Sequence, residues 1–266
     1  MFTTANRSLK ISPIKEEMMF ELTDKVAIVT GSTRGIGRGI AEAMIAAGAK
    51  VVISSENALE TAEVAAELNQ TGIACDISDP AQLAALVEGT TNALGRIDVL
   101  VCNAGVPERF GTFLDMDMDE FDRVTAINLT AQVRLVKLVL PHLVESKGNV
   151  ILISSLSGLR GNAGINAYAL AKAGLAQLAR NLAVQLGPQG VRANAISPGV
   201  IDTELSRPLL ENETVKARRM AMTPLRRAGT PAEVGGAAVF LASPAGGFIT
   251  GHNLVIDGGT IITDGS

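Results

Sequence analysis

The 266-residue sequence contains no tryptophan and a single tyrosine, and aromatic residues make up only 3% of it. Large aromatic side chains therefore cannot fill its interior. Because 47% of the residues are nevertheless hydrophobic, we predict a core of aliphatic side chains and alanine, which suits close packing of helices on a sheet. The one tyrosine, Tyr168, is a candidate functional residue.

Cysteine and histidine are almost as scarce, with two residues of each. Cys75 and Cys102 form no C-x-x-C pair, and His142 and His252 lie far apart without an H-E-x-x-H pattern. The sequence therefore gives little support for a disulfide, and we expect no metal site.

The sequence also lacks a basic excess and a long apolar run. Its formal net charge is −4 at pH 7 and it has no lysine-rich or arginine-rich stretch, so no nucleic-acid partner is indicated. It has no run of about 18 apolar residues and no apolar signal core at the N-terminus. We therefore expect a small-molecule partner, no membrane partner and a cytoplasmic location.

Strand patterns and helix patterns alternate along most of the chain. We predict strands at 26–30, 50–54, 73–76, 99–102, 149–153, 191–196 and 253–256, and, after the helix that follows the first strand, helices at 57–69, 80–94, 119–145, 166–186 and 231–242. Right-handed crossovers then place helices on both faces of one sheet. The prediction is an α/β fold with a single, doubly wound, parallel seven-stranded sheet. Residues 1–20 are expected to form a flexible N-terminal arm, and 21–266 one domain.

The first strand runs directly into a glycine-rich turn, Gly31-Ser-Thr-Arg-Gly35-Ile-Gly37, and a helical pattern follows it. Such glycines allow backbone N–H groups and a helix N-terminus to approach a pyrophosphate, whose charge the helix dipole favours. A glycine pattern alone is weak. With a flanking strand, a helix and a second strand, it predicts a dinucleotide-binding βαβ unit.

Lys172 follows Tyr168 by four residues, a spacing that places both side chains on one face of a helix. A cation within about 4–6 Å stabilises a phenolate, so we expect Lys172 to lower the pKa of Tyr168 from about 10. Tyr168 would then be a usable acid or base. Taken alone, such a pair more often means a half-buried tyrosine beside a solvated lysine. The preceding strand pattern, however, delivers Ser154 and Ser155 to the same region, where α/β proteins bind ligands.

These motifs resemble those of the short-chain dehydrogenase/reductase superfamily, in particular its tetrameric single-domain branch near the 3-oxoacyl-carrier-protein reductases and glucose 1-dehydrogenases. The resemblance spans about residues 22–260. It rests on Thr30-Gly-x-x-x-Gly-x-Gly37, Cys102-Asn-Ala-Gly105, Asn128, Ser155, Tyr168-x-x-x-Lys172 and Pro198-Gly199, in the order and spacing of that family. The asparagine pair usual before Ala-Gly is Cys102-Asn103 here, which should alter local hydrogen bonding.

The resemblance implies a Rossmann-type fold and hydride transfer between a nicotinamide cofactor and a carbonyl or carbinol carbon. Tyr168 would move the oxygen proton and Ser155 would hold the substrate oxygen. Lys172 would bind the ribose hydroxyls, and Asn128 would hold a water in a proton relay behind it. Asn128 has an alternative: it could simply bridge backbone groups within the protein.

The resemblance also implies a set of cofactor contacts, with Asp76 near the adenine and Thr203 near the nicotinamide amide or phosphate. The implied cofactor-binding residues are Gly31, Ser32, Thr33, Arg34, Gly35, Ile36, Gly37, Ser55, Glu56, Asp76, Ile77, Asn103, Ala104, Gly105, Tyr168, Lys172, Pro198, Gly199, Val200, Ile201 and Thr203. The stretch 199–228 resembles a substrate-covering flap. The C-terminal strand and the helices at 119–145 and 166–186 imply a homotetramer.

The sequence gives conflicting indications of whether the cofactor is NAD(H) or NADP(H). Arg34 resembles the basic residue of NADP-preferring relatives, whereas Ser55-Glu56 stands where those relatives often carry Ser-Arg. Because Glu56 would repel a 2′-phosphate and could pair with Arg34, we predict use of both NAD(H) and NADP(H), with a modest lean to NAD(H).

The sequence is compatible with three functions. Polar loops around Glu108-Arg109 and Arg160-Gly-Asn162 favour a polar substrate such as a keto acid or sugar. An alternative is a 3-oxoacyl thioester reductase. A third possibility, from a functional class other than enzymes, is a catalytically silent nucleotide-sensing binding protein. The presence of Ser155, Tyr168 and Lys172 disfavours it.

Overall fold

The computed structural model describes residues 19–263. Seven strands form one parallel sheet in the order β3-β2-β1-β4-β5-β6-β7. In chain order they are β1 (Val26–Thr30), β2 (Lys50–Ser54), β3 (Thr71–Gly72), β4 (Val99–Cys102), β5 (Asn149–Ile153), β6 (Arg192–Pro198) and β7 (Asn253–Ile256). The predicted fold class is confirmed. The expected arm at 1–20 falls almost wholly outside the described residues.

Two strands differ from their predicted bounds. The strand predicted at 73–76 is replaced by the two-residue edge strand β3, which ends at Gly72, just before the predicted range. Its hydrogen bonding nevertheless continues: the Ile73 amide donates to the Ile53 carbonyl at 2.9 Å and the Cys75 amide to the Ser55 carbonyl at 2.8 Å. β6 runs two residues further than predicted, to Pro198, because β7 pairs with it up to that residue.

The helices occupy both faces of the sheet. They are α1 (Gly35–Ala46), α2 (Ala58–Glu67), α3 (Pro80–Leu94), α4 (Met118–Thr125), α5 (Ala131–Ser146), α6 (Ala167–Leu186), α7 (Arg207–Glu211), α8 (Glu213–Ala221) and α9 (Pro231–Ala242). Side chains of α1 and α9 pack on one face, and those of α3, α5 and α6 pack on the other. The core is aliphatic, as the shortage of aromatic residues predicts.

The helix predicted at 119–145 is interrupted. A π-helical segment, Ala126–Thr130, separates α4 from α5 and contains Asn128, whose side chain is fully buried. Such segments are rare and often occur at functional sites. By length and composition alone, Met118–Ser146 could span a membrane. Leu135, Val139 and Leu143 are instead fully buried against the sheet, as in a core helix.

The order of the strands creates a crevice. From β1 the chain adds β2 and β3 on one side, and from β4 it adds β5, β6 and β7 on the other. In open α/β sheets, ligands bind outside the carboxyl ends of the strands at this point of divergence. The stretch 199–228, which resembles a flap, contains the helices α7 and α8 after β6.

Candidate active site

A cleft of about 620 Å³ lies beyond the carboxyl ends of β1, β4, β5 and β6. Most of the predicted site residues line it: Gly31, Thr33, Arg34, Gly35, Ile36, Ser55, Glu56, Asn103, Ala104, Gly105, Ser155, Tyr168, Lys172, Pro198, Gly199, Val200, Ile201 and Thr203. Five others, Ser32, Gly37, Asp76, Ile77 and Asn128, do not line it. The glycine turn and the tyrosine motif, far apart in sequence, therefore share one cavity.

The glycine turn has the shape that a phosphate cradle needs. Gly31 has a φ of +63°, which favours glycine, and an added Cβ on Gly37 would collide with the Gly31 carbonyl oxygen and the Asn103 side chain. Arg34, at the N-cap of α1, makes no side-chain capping bond, and the first turn has no acidic residue. The first amides of α1 are thus free of side-chain caps, as a pyrophosphate site requires.

Ser32 and Gly37 support this turn from behind. The buried Ser32 hydroxyl accepts a hydrogen bond from the Ser54 amide at 2.9 Å, and the Ser32 amide donates to the Ser54 carbonyl at 3.0 Å. These bonds tie the turn to the end of β2. Both residues hold the cradle rather than line the cleft.

The Asn103 side chain connects the segment after β4 to the glycine turn. Its side-chain amide donates to the Thr30 carbonyl at 2.9 Å and the Gly31 carbonyl at 3.1 Å. Cys102, where the family usually has asparagine, is instead buried, and burial raises the pKa of its thiol to about 12. Cysteine in place of asparagine at position 102 therefore puts a neutral thiol in the core. The glycine turn remains connected to β4 through Asn103.

Lys172 is buried beneath the cleft. Its ammonium donates to the Ile153 carbonyl at 2.7 Å and lies 5.5 Å from the centroid of the Tyr168 ring. Only 4% of the residue is exposed, and this burial lowers the pKa of the ammonium to about 8. Lys172 is therefore a partly destabilised cation held beside the tyrosine.

The pKa of Tyr168 corrects an expectation. Burial raises this pKa above its ordinary value of 10, and the Ser155 hydroxyl acts in the opposite direction. The predicted lowering by Lys172 is wrong for this structure, because desolvation of the phenol dominates and the lysine ammonium bonds to a backbone carbonyl. At neutral pH Tyr168 is protonated, the form that can donate a proton.

The Asn128 side chain bonds to the protein backbone, as in the alternative in which it bridges backbone groups. Its amide oxygen accepts from the Val106 amide at 2.8 Å, and its amide nitrogen donates to the Val106 carbonyl at 2.9 Å. It also lies close to Lys172, since a Cβ added to Gly105 would sit 2.7 Å from the Asn128 oxygen and 3.8 Å from the Lys172 ammonium. The oxygen keeps a second lone pair and the nitrogen a second hydrogen, so its relay role stays a prediction.

Asp76 and Ile77 lie outside the cleft lining. The exposed Asp76 carboxylate accepts from the Ser78 amide at 2.9 Å, and Ile77 is buried in the core. On the opposite wall, Thr203 forms a short turn with Ser206, whose hydroxyl accepts from the Thr203 amide at 3.0 Å. A Cβ added to Gly35 would contact the Thr203 methyl group, so the base of the flap packs on the glycine turn.

Comparison with known proteins identifies the family. The protein family described as enoyl-(acyl carrier protein) reductase matches residues 29–260. The chain is 37% identical over 245 residues to the 3-oxoacyl-[acyl-carrier-protein] reductase of Salmonella typhimurium, covering 91% of this chain and 98% of that protein. It is a short-chain dehydrogenase/reductase.

Other members of the family are similarly close. The 7alpha-hydroxysteroid dehydrogenase of Escherichia coli is 37% identical over 248 residues, which is 90% of this chain and 95% of that protein. Among solved structures, a gluconate 5-dehydrogenase from Burkholderia cenocepacia, described in complex with NADP and tartrate, superposes with a TM-score of 0.88 at 30% identity. That match covers 92% of this chain and 98% of the other.

As a short-chain dehydrogenase/reductase, the protein is an NAD(P)-dependent oxidoreductase that acts on CH–OH groups. It transfers a hydride between nicotinamide and a carbonyl or secondary alcohol. The silent binding-protein alternative is therefore set aside. Within residues 19–263 no group of three histidine, cysteine, aspartate or glutamate side chains could hold a metal ion.

Sequence reasoning missed Glu204. This flap residue lines the cleft, and its carboxylate lies 3.5 Å from the Arg34 guanidinium. The Glu56 carboxylate lies 4.0 Å from the same guanidinium, which agrees with the expected pairing of Glu56 with Arg34. Because these pairs are exposed, each is weak. No local signal could have shown Glu204, since the flap approaches the turn only in the folded protein.

Both polar loops that favour a polar substrate contain a side chain that bonds to backbone. Glu108 does not line the cleft, and its carboxylate accepts hydrogen bonds from the backbone at the start of α6. Asn162 donates to the carbonyls of Ser157 and Arg160 and so holds its own loop together. The inference of a polar substrate therefore loses these two residues as support.

Proposed function

We propose that the protein interconverts the carbonyl and alcohol forms of a small polar substrate, such as a keto acid, a sugar or a related ketone. The observation that carries this is the cleft in which Ser155, Tyr168 and Lys172 meet the glycine turn. Hydride transfer at nicotinamide C4 is the chemistry that the bound cofactor supplies. The protein's own task is to bind the substrate oxygen and move its proton.

Each residue then has a role set by its position. The hydroxyls of Ser155 and Tyr168 bind the substrate oxygen, and Tyr168 gives or takes its proton. Lys172 binds the ribose hydroxyls and faces the tyrosine ring. The glycine turn, the Asn103–Gly105 wall and the Pro198–Thr203 wall hold the cofactor, and Asn128 retains a relay role through its unused hydrogen-bonding capacity.

Three arginines outside the lining of the cleft, Arg160 in the loop after β5 and Arg218 and Arg219 in α8, support an anionic substrate. Burial lowers the pKa of the Arg219 guanidinium, and the nearby charges of Arg160 and Arg218 lower it further. Among residues 19–263 no carboxylate forms an ion pair with any of these three. Like charges held together without an acidic partner favour binding of a carboxylate or phosphate.

The thioester alternative also has an observation in its favour. The flap residues Leu205 and Leu209 line the cleft together with Val106 and Pro107, and this apolar side suits an acyl chain. The Salmonella relative carries a name of that activity.

A substrate panel tests the proposal. Keto acids, sugars, cyclic ketones and a 3-oxoacyl thioester are assayed with NADH and with NADPH by loss of reduced-nicotinamide absorbance. We expect keto acids to give the highest kcat/KM. Turnover confined to the thioester would support the alternative, and turnover of none would contradict the proposal.

We further propose that the enzyme uses both cofactors, with a modest lean to NAD(H). Arg34 is the cation that would meet a 2′-phosphate, and it lies between the carboxylates of Glu56 and Glu204. Two negative charges near that position disfavour a phosphate and leave Arg34 partly neutralised. The ribose 2′-hydroxyl of NAD(H), in contrast, can donate to Glu56.

Charge changes at this position should alter cofactor preference. Glu56→Arg should raise the NADPH-to-NADH ratio of kcat/KM at least about tenfold, or about 1.4 kcal/mol, and Arg34→Ala should chiefly weaken NADPH. Glu63→Arg makes the same charge change at an exposed site outside the cleft, so its ratio should match wild type. A wild-type preference for NADPH above about a hundredfold would mean that Glu56 does not face the 2′-position.

A homotetramer in the cytoplasm completes the proposal. Apolar side chains are exposed on α5, at Val133 and Leu138, and on α6, at Leu170 and Val184. Burial of these surfaces between subunits is favourable. Light scattering at micromolar concentration should give four times the mass of the chain, and a monomer mass would contradict the assignment.

A further inference from the structure

We propose that Glu108 is a positioning residue for Tyr168, which it holds through the backbone at the start of α6. This inference rests on the proposed role of Tyr168. The contacts are direct: the Glu108 carboxylate accepts from the Asn166 amide at 2.9 and 3.0 Å, the Ala167 amide at 3.1 Å and the Tyr168 amide at 2.9 Å. One side chain thus bonds to the backbone of the catalytic tyrosine itself.

The tyrosine helix has no cap of its own. Asn166, at its N-cap, has helical backbone angles and makes no side-chain capping bond, and the first turn contains no acidic residue. The first amides of a helix have no partner within the helix and carry its positive end. Glu108, which precedes Tyr168 by 60 residues, satisfies three of them.

The loop that carries Glu108 is itself fastened on both sides. Two residues before it, the Val106 backbone is bound at both N–H and C=O by Asn128. Three residues after it, the Gly111 amide donates to the Gly164 carbonyl at 3.1 Å, and the Asn166 side chain donates to the Gly111 carbonyl at 3.1 Å. Glu108 is therefore fixed relative to the cleft wall at Asn103–Pro107.

This arrangement links two walls of the active site. The residues before Glu108 line the cofactor side of the cleft. Glu108 also bonds to the backbone of Tyr168, which carries the phenol. Tyr168 lies in the first turn of α6, where a helix end frays most easily. Loss of the carboxylate should loosen that turn and move the phenol relative to the cofactor wall.

The chemistry of the side chain predicts an order among variants. A carboxylate has two acceptor oxygens for three amides, whereas a glutamine has one acceptor oxygen and an NH₂ group that would face N–H donors. Glu108→Gln should therefore keep part of the positioning of Tyr168, and Glu108→Ala should lose it. We expect kcat to follow the order wild type, glutamine, alanine.

The test separates positioning from stability. Glu108→Ala should lower kcat by about tenfold to a hundredfold, because displacement of a catalytic group by about 1 Å can cost about a hundredfold. The Kd for NADH or NADPH should change less than about twofold, since the glycine turn is intact. The matched control is Glu120→Ala. The Glu120 carboxylate accepts from the Arg109 amide of the same loop at 2.8 Å, and among the described residues it makes no hydrogen bond to α6, so kcat should stay at the wild-type value.

A second readout needs no substrate. Tyr168 is the only tyrosine and the chain has no tryptophan, so tyrosine fluorescence reports on this one side chain. The emission should change in both Glu108 variants and match wild type in Glu120→Ala. If no panel compound is turned over, the proposed function fails while this readout still decides the role of Glu108.

Two results would overturn the inference. The first is wild-type kcat and wild-type tyrosine emission in folded Glu108→Ala, with only the unfolding midpoint lowered, which would give Glu108 a structural role alone. The second applies if that variant does not fold: wild-type kcat and emission in Glu108→Gln would then contradict the predicted order.

Discussion

Tyr168→Phe is expected to lower kcat by about a hundredfold to ten-thousandfold, the range typical for loss of a positioned acid or base. The phenol oxygen acts on the substrate oxygen in the transition state, whereas the ring that packs beside Lys172 is retained by phenylalanine. The Kd for NADH and NADPH should stay within about twofold of wild type, because the hydroxyl contributes little to ground-state affinity. Steady-state kinetics and cofactor titration measure the two quantities.

A control on the same helix guards against a general disturbance of α6. Gln177 is exposed, and within residues 19–263 its side chain bonds to Asn181 and Arg180 of the same helix, so Gln177→Ala should keep wild-type kcat. Activity of Tyr168→Phe within about tenfold of wild type, equivalent to about 1.4 kcal/mol, would remove Tyr168 from the chemistry.

Lys172→Met is expected to have opposite effects on function and on stability. Activity should fall at least about tenfold and the cofactor Kd should rise about tenfold, since a hydrogen bond to a charged group contributes about 1.5–3 kcal/mol. The free energy of unfolding at pH 7 should rise, because methionine fills the space of the lysine stem without burying a charge. The pKa of Lys172 is about 8 in the folded protein, against its ordinary value of 10.5. After allowance for the lost bond to the Ile153 carbonyl, this difference corresponds to a gain of about 2 to 3 kcal/mol in the free energy of unfolding.

The stability effect should depend on pH in a defined direction. Because the pKa of Lys172 is lower in the folded protein, the folded state binds this proton less tightly than the unfolded chain. Wild type is thus destabilised below pH 8, and the penalty disappears as the pH rises from 8 to 10.5. The difference between Lys172→Met and wild type should shrink across that window.

Denaturant unfolding at several pH values, without cofactor, measures that difference. Lys50→Met removes a lysine at an exposed position and should show no such trend. A constant difference between Lys172→Met and wild type from pH 7 to 10.5 would show that the lysine is not destabilised by burial.

The fold was largely predictable because its strands are runs of β-branched and aliphatic residues that the sheet buries on both faces. β3 was misplaced because a strand of two residues, Thr71 and Gly72, is too short to show that pattern. The break between α4 and α5 was missed because a π-helical segment changes the hydrogen bonds of the helix without changing its apolar pattern.

The candidate site was predictable where residues lie close in sequence. Tyr168 and Lys172 share a helix face, and the glycines belong to one turn, so spacing alone brings them together. Glu204 meets Arg34, and Glu108 meets the start of α6, only through tertiary folding. The direction of the Tyr168 pKa also depends on burial, which no spacing reveals.

Deuterium transfer tests the central claim most directly. Wild type is incubated with its best panel substrate and with NADH or NADPH that carries deuterium at both C4 positions of the reduced ring, and the product is examined by mass spectrometry. We predict deuterium on the carbinol carbon for wild type, none from deuterated water at that carbon, and a rate reduced at least about a hundredfold in Tyr168→Phe. A product that lacks the cofactor's deuterium, or an equal rate in Tyr168→Phe, would contradict tyrosine-assisted hydride transfer in this cleft.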